Sequence, residues 1–184
     1  MEEEEKIISA PDEEQLWEEV TADFKIDPDP LEYHIVLEQQ DRRVILDIYN
    51  NHAMGFEAVA YTNFSAYLFG RDDFRFSVHQ QSLTDEIGKI FGVQDVSLGF
   101  PDFDERFVIK TNNKSRVINL FEDPMVRNTL LGLPEFSFEI IEYSEEDENI
   151  TAPFLELRIH QAIADPLRLK EIYRTFLSVL KHIE

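Results

Sequence analysis

The chain has 184 residues and is 43% hydrophobic, with fifteen Phe, which predicts one folded domain and excludes a disordered chain. It contains no Cys, which excludes a disulfide, a Cys-ligated zinc site and a thiol nucleophile. Its net charge of −21 disfavours nucleic acid and anionic membranes as partners and favours a basic protein.

The acidic residues are concentrated near the N-terminus. Residues 1–33 hold thirteen acids and two bases, a net charge of −11, while the other 151 residues carry −10. We expect residues 1–10 to be a mobile tail, and an acidic leader that only aids solubility is the alternative to a partner-binding segment. The first residues, MEEEEK, lack the basic start of a signal peptide, and no apolar run approaches the ~20 residues of a membrane span. The expected location is the cytoplasm.

The first predicted element is a helix in an N-terminal arm. Asp12 is a candidate N-cap, and apolar residues follow at helical spacing until the sequence DPDP at 27–30 ends the helix. The predicted organisation is therefore an acidic arm over 1–30 and a single domain over 31–184. Because an isolated helix of this length is marginal in water, we expect it to dock with Trp17 buried, on its own domain or on a neighbouring copy in a homodimer. The favoured neighbour by charge is the basic segment 106–127.

A strand-rich region follows the arm. Residues 33–40 and 43–49 alternate between apolar and polar and flank a short polar turn. Residues 55–69 predict one or two further strands. In the strand predicted over 74–79, the apolar Phe74, Phe76 and Val78 alternate with a second set, Arg75, Ser77 and His79, that faces the other way.

The second half alternates helices with strands. Capping residues predict helices beginning after Ser82, Asn113, Asp123 and Asp165, the first of them ending at Gly92. Strands are predicted over 106–110, 135–143 and 154–160, the last two joined as a hairpin by an acidic loop. The resulting fold class is α+β, with a mostly antiparallel sheet covered by helices.

The last helix is predicted to be long and amphipathic. Its apolar residues recur at helical spacing over more than four turns, which is typical of a helix that covers a sheet. A partner groove or a dimer seam is the alternative. The stripe consists of Leu169, Ile172, Tyr173, Phe176, Leu177, Leu180 and Ile183.

The second half resembles a bacterial domain of unknown function. The resemblance rests on Phe103-Asp104 before a strand at 107–109, a helix around 117–120, and Asp123-Pro124 leading to a Leu pair at 130–131. Paired strands and the long helix from Asp165 continue it, so that it covers about residues 85–184. The resemblance implies no catalytic residues and no cofactor.

Few residues suggest catalysis. Nucleophile-elbow, Walker, dinucleotide-binding, EF-hand and HExxH patterns are absent from the sequence, and we expect no cofactor and no metal. The best candidate catalytic set is Glu139, Glu156 and His160, because Glu156 and His160 share one strand face and Glu139 could lie opposite. An exposed sheet face with cross-strand charge pairs is the alternative interpretation.

Five basic residues form a local reversal of charge. They lie within 22 residues that contain only two acids, and they suggest a docking site for an acidic ligand or for the N-terminal arm. Ordinary surface charge is the alternative. The five are Arg106, Lys110, Lys114, Arg116 and Arg127.

These features favour a non-enzymatic protein-binding module with an acidic surface. Secretion chaperones, immunity proteins and adaptors include proteins of this size and charge, an analogy that concerns size and charge alone. The alternative is a hydrolase-type enzyme that uses the Glu139, Glu156 and His160 set.

Overall fold

The computed structural model describes residues 5–51, 59–70, 72–80, 94–144 and 151–184. Within these ranges the chain forms nine strands and five helices. The strands are β1 (Ile7–Ser9), β2 (Glu32–Gln39), β3 (Arg42–Asn51), β4 (Val59–Tyr67), β5 (Phe76–Gln80), β6 (Gln94–Asp95), β7 (Phe107–Thr111), β8 (Phe136–Ser144) and β9 (Thr151–Ile159). The helices are α1 (Glu13–Ile26), α2 (Pro101–Asp104), α3 (Lys114–Leu120), α4 (Pro124–Leu131) and α5 (Pro166–Ile183).

The described strands form one sheet in the order β1-β2-β3-β4-β9-β8-β5-β7-β6. Neighbouring strands are antiparallel except β1 and β2, which run parallel. The predicted α+β class with a mostly antiparallel sheet is confirmed. The two described strands from the 55–78 segment, β4 and β5, are each paired on both sides, and the outermost described strands are the short β1 and β6. Short outer strands limit unwanted edge pairing.

The hairpins follow local sequence signals. Gln40 and Asp41 join β2 to β3 with φ values of 49° and 64°, the positive-φ pair of a type I′ turn, which matches the twist of the flanking strands. Strands β8 and β9 pair up to Ser144 and Thr151. The acidic loop at 145–150 and the helix predicted over 82–92 lie outside the described residues.

One face of the sheet is apolar and forms the core. A single row of directly paired residues crosses seven strands on this face, and each side chain in it is at most 2% exposed. Because strand side chains alternate between faces, this row places the neighbouring positions of every strand on the opposite face. From β2 to β7 the row consists of Ile35, Leu46, Phe64, Leu157, Phe138, Val78 and Ile109.

Helix α5 covers the centre of this apolar face. The Phe176 ring stacks on Phe138, with centroids 6.0 Å apart, and lies 6.1 Å from the Phe64 ring. Six of the seven predicted stripe residues are buried, and Ile183 at the helix end is partly buried against the core. The structure therefore confirms the predicted amphipathic helix and its role as a cover for the sheet. No helix in the described part of the chain is long and apolar enough to cross a membrane.

The helix starts agree with the predicted caps. The side chains of Asp12, Asn113, Asp123 and Asp165 each accept a hydrogen bond from a backbone N–H in the first turn of α1, α3, α4 and α5. Such caps satisfy donors that have no partner inside the helix. Pro follows Asp123 and Asp165 at the first helical position, where its missing N–H has no effect.

The N-terminal segment is part of the fold. Residues 7–9, predicted to be mobile, form β1, which pairs in parallel with β2 and buries Ile8. The reason is that the edge of β2 offers backbone partners that the local sequence does not reveal. The predicted burial of Trp17 is observed at 3% exposure, and its ring meets the Tyr173 ring edge-on at 5.5 Å. Segment 7–26 thus shares one hydrophobic cluster with the rest of the chain.

The neighbour of α1 is α5, and segment 106–127 does not supply its cations. The Glu13 carboxylate lies 2.6 Å from the Arg174 guanidinium and 3.8 Å from the Lys170 ammonium, both on α5. A local excess of basic residues was therefore a poor guide to which helix would lie beside α1, because the apolar stripe of α5 decides the contact.

Truncating Trp17 tests how much α1 stabilises the fold. We expect Trp17→Ala to lower the free energy of unfolding by about 3–5 kcal/mol, because it leaves a large cavity between α1 and α5. For a chain of this size the melting temperature should fall on the order of 10 °C. Urea unfolding and thermal melts measure both quantities.

The matched control is Leu167→Ala on α5, whose side chain is 75% exposed and should change stability by less than about 0.5 kcal/mol. Trp17 is also the one Trp in the chain, so its fluorescence reports its surroundings directly. An emission spectrum matching free solvent would contradict the burial of α1 against the core.

Candidate functional site

The face of the sheet opposite the core, here named the polar sheet face, carries an unusual group of buried polar side chains. Side chains alternate between the two faces along each strand, so the residues next to the core row in β4, β9, β8 and β5 lie on the polar sheet face. Many of these residues are polar. Polar groups lose hydration when buried and require hydrogen bonds in compensation. The most buried members, at 0–7% exposure, are Asn63, Ser65, Ser77, His79, Ser137 and Glu156.

Two carboxylates face each other at the centre of this group. Glu139 on β8 pairs directly with Glu156 on β9, as the sequence suggested. The Tyr143 hydroxyl donates to Glu156 Oε2 at 2.6 Å, and the Asn63 amide Nδ2 donates to the same oxygen at 3.3 Å. Like charges directly opposite each other in a sheet are destabilising, so this pair has no evident structural benefit.

The environment separates the two acids chemically. Burial, and then the charge of Glu156, raise the pKa of Glu139 to about 7, although a hydrogen bond from Ser137 opposes the shift. Burial and the hydrogen bond to Glu156 raise the pKa of Tyr143, so that its hydroxyl keeps its proton and acts as a donor. Near neutral pH, Glu139 therefore alternates between a neutral acid and a carboxylate.

The histidine at this site is His79, and His160 lies outside it. His79 is fully buried on the polar sheet face, its Nδ1 is 2.8 Å from the Gln80 carbonyl, and burial lowers its pKa. His160 follows the end of β9 and is exposed. The alternation in β5 had placed His79 and Ser77 on one face. What the sequence could not supply was the pairing of β5 with β8, which brings His79 opposite Ser137.

An aromatic patch adjoins the carboxylates. The Phe154 ring contacts Tyr67 at 5.6 Å and Tyr143 at 5.2 Å, both edge-on, and Tyr67 contacts Phe69 at 4.9 Å. Tyr67, Phe69 and Tyr143 are 41%, 71% and 49% exposed. We call the four rings, Tyr67, Phe69, Tyr143 and Phe154, the aromatic patch. Because the Tyr143 hydroxyl also bonds Glu156, the aromatic patch is continuous with the carboxylate pair.

The predicted basic cluster is largely engaged in contacts within the chain. The Arg116 guanidinium is 2.5 Å from the Asp72 carboxylate and 4.2 Å from the centre of the Phe74 ring. Arg127 lies 3.7 Å over the Phe100 ring and donates to two backbone carbonyls at the end of α3. These guanidinium groups join secondary-structure elements together.

The other three basic residues are dispersed. Arg106 lies 5.8 Å from the Phe107 ring, and Lys114 is exposed at the start of α3. Lys110 lies on β7, paired with Ser77 and Asp95. The five residues thus lie in four parts of the chain, before β7, on β7, on α3 and on α4, and Trp17, the other predicted interaction residue, is buried in the core.

Within the described residues, no group of three or more His, Asp or Glu side chains is arranged to hold a metal ion. No family model, curated protein or solved structure matches the chain. The resemblance of residues 85–184 to a bacterial domain of unknown function stays a prediction.

The near-neutral pKa of Glu139 predicts a specific dependence of stability on pH. In the unfolded chain this carboxyl loses its proton near pH 4.5, but in the folded protein it keeps it up to about pH 7. The folded state therefore binds more protons in this window, and the Glu139 contribution to the free energy of unfolding falls as pH rises through it. The expected loss is on the order of 1–3 kcal/mol.

Glu139→Gln should remove this contribution, because an amide does not titrate. Urea unfolding at acidic and at mildly alkaline pH should show the variant gaining stability relative to the native chain as pH rises. Glu32→Gln, an exposed change on β2, is the matched control and should keep the native pH dependence. Parallel stability curves for the native chain and Glu139→Gln would contradict the assignment.

Proposed function

We propose that this protein is a non-enzymatic binding module that engages a basic segment of another protein through the polar sheet face. The observation that carries the proposal is the exposed aromatic patch in direct contact with the buried Glu156 carboxylate, which faces Glu139 on the neighbouring strand. Exposed aromatic clusters are costly in water and are enriched in the centres of protein interfaces.

The chemistry of the surface favours a cationic partner. Tyr and Phe rings attract cations through their faces, and the Glu156 carboxylate lies beside them through its bond to Tyr143. The chain itself uses this kind of contact, since the Arg158 guanidinium lies 4.1 Å from the Tyr61 ring centre. The net charge of −21 adds long-range attraction for a basic protein.

The same charge argues against the other partners considered. Two copies of the chain would repel each other, which disfavours a homodimer, and phosphate-rich nucleic acids and anionic membranes are repelled likewise. The module would act as an adaptor, or in the manner of a chaperone or an immunity protein. Its partner is expected in the cytoplasm, the compartment that the sequence predicts.

The aromatic patch can be tested by capture of partners from the lysate of the host. The native chain should retain a basic protein at low salt and release it at high salt, since screening weakens charge attraction. The double variant Tyr67→Ala, Phe69→Ala should lose that protein, because it removes the exposed rings.

Ile26→Ala is the control, because Ile26 is 85% exposed at the far end of α1 and is not part of the patch. Equal capture by the patch variant and the control, or capture that salt does not weaken, would reject the proposal. Retained melting temperatures would show that the variants are folded.

A hydrolase is the second candidate, favoured by the pKa of about 7 for Glu139 beside Glu156. An acid with such a pKa suits general acid–base catalysis near neutral pH. Assays with chromogenic ester and glycoside substrates should then give a rate with a bell-shaped pH profile that both Glu139→Gln and Glu156→Gln abolish. A rate that neither variant changes would exclude these carboxylates as catalytic groups.

A further inference from the structure

Five side chains lie side by side on the polar sheet face across four adjacent strands, β4, β9, β8 and β5. Glu139 pairs directly with Glu156 on one side and with Ser77 on the other, and Asn63 reaches Glu156 from β4. His79 lies two residues beyond Ser77 and so shares its face. We call these five residues the acceptor cluster, because each of them carries an atom that can accept a hydrogen bond.

Three of the donors near these carboxylates are engaged. The Tyr143 hydroxyl and the Asn63 amide both donate to Glu156, and the Ser137 hydroxyl bonds Glu139. Because Asn63 gives its NH₂ group to a carboxylate, its carbonyl oxygen Oδ1 must be the atom left over.

Three buried polar atoms of the cluster have no hydrogen-bond partner among the described residues: Asn63 Oδ1, Ser77 Oγ and His79 Nε2. The Nδ1 atom of His79 faces the Gln80 carbonyl and must carry the ring proton, so Nε2 is an acceptor. Leaving a buried polar group unpaired destabilises the folded state. Two of these atoms can only accept, and the third can do so, beside two carboxyl groups.

We propose that the acceptor cluster binds the ammonium group of a lysine side chain presented by the partner protein. This inference rests on the proposed function and specifies what the polar sheet face recognises. An ammonium group has three N–H donors and no acceptor, which complements a site that holds open acceptors and negative charge.

Lysine fits this cluster better than arginine does. The ammonium is a compact charge whose three donors point apart, whereas a guanidinium presents its donors in one plane and matches a single carboxylate edge-on. In the cluster the two carboxyl groups lie on the neighbouring strands β9 and β8, with Asn63 Oδ1 on the β4 side and Ser77 Oγ on the β5 side. A group that donates in several directions is therefore the better match.

The aromatic patch provides the approach to the cluster. The Tyr143 ring is half exposed, and its hydroxyl bonds Glu156, so a side chain that passes over this ring reaches the carboxylates. The aliphatic stem of lysine would pack on the Tyr143 and Phe154 rings while its charged end lies between Glu139 and Glu156. The Arg158 guanidinium, which shares a strand face with Glu156, lies over the Tyr61 ring.

Occupation of the cluster should also displace a proton. A bound cation favours the charged form of Glu139, whose pKa is about 7 in the free protein. The other charged or titratable groups near it are Glu156, Arg158 and Tyr143, with His79 and Lys110 on the side of β5 and β7. Binding should therefore release protons below neutral pH.

The chain can be titrated with n-butylammonium, which reproduces the end of a lysine side chain. Saturable binding is expected in NMR spectra, with shifts at Asn63, Ser77 and His79, and a higher melting temperature. n-Butanol, which has the same chain length, should bind with an affinity at least about tenfold lower, because it lacks the charge and two of the donors. n-Butylguanidinium should also bind more weakly.

Glu156→Gln should weaken n-butylammonium binding by about tenfold or more, while the exposed control Glu32→Gln should keep it. The melting-temperature comparison of n-butylammonium with n-butanol uses the native chain alone, so it decides the question even if Glu156→Gln fails to fold. Equal effects of the amine and the alcohol would overturn the proposal.

A short lysine peptide and its Nε-acetylated form separate this inference from the proposed function. The lysine peptide should bind and the acetylated peptide should not, and if free amine binds while the lysine peptide does not, the lysine assignment is overturned. A partner captured through the aromatic patch whose binding survives Glu156→Gln and lysine acetylation would overturn the ammonium site alone. If the amine binds but the double variant Tyr67→Ala, Phe69→Ala captures the same proteins as the native chain, the binding-module proposal alone would be overturned.

Discussion

The packing of α5 on a single row of apolar side chains is the interaction on which the rest of the fold depends. Phe176 meets both Phe64 and Phe138 and so ties together the two halves of the sheet at their centre. Apolar burial stabilises by roughly 25 cal/mol per Å², and aromatic rings contribute the largest areas. Helices α1, α3 and α4 are then held by their contacts with α5.

A core on one face dictates what lies on the other. Every strand that contributes an apolar side chain to the core row must present its alternate residues to the polar sheet face. A fold selected for stability alone would place small polar or paired charged residues there. Instead, two carboxyl groups face each other and three buried polar atoms of this face have no hydrogen-bond partner among the described residues, and the proposed ammonium site rests on these observations.

The acidic N-terminal segment is explained by structure as well as by charge. Its apolar residues enter the common core, and Glu13 pairs with cations of α5 at the surface. Exposed ion pairs of this kind contribute little energy, so burial of Trp17 and Leu16 holds the helix in place. Of the remaining acids on α1, Asp23 pairs with Lys6 and Tyr33, while Glu14, Glu18 and Glu19 are exposed and add to the negative charge of the surface.

The sequence by itself determined the α+β class, the helix caps, the amphipathic last helix and the burial of Trp17, because capping and apolar periodicity are properties of a few neighbouring residues. It also placed Ser77 and His79 on one strand face and suggested Glu139 opposite Glu156. Only the tertiary structure decided that β5 lies beside β8, that β1 joins the sheet and that Arg116 and Arg127 contact other parts of the chain. Strand pairing joins residues that are far apart in the chain, and the energy that selects the partner comes from packing of the whole sheet, which no local pattern records.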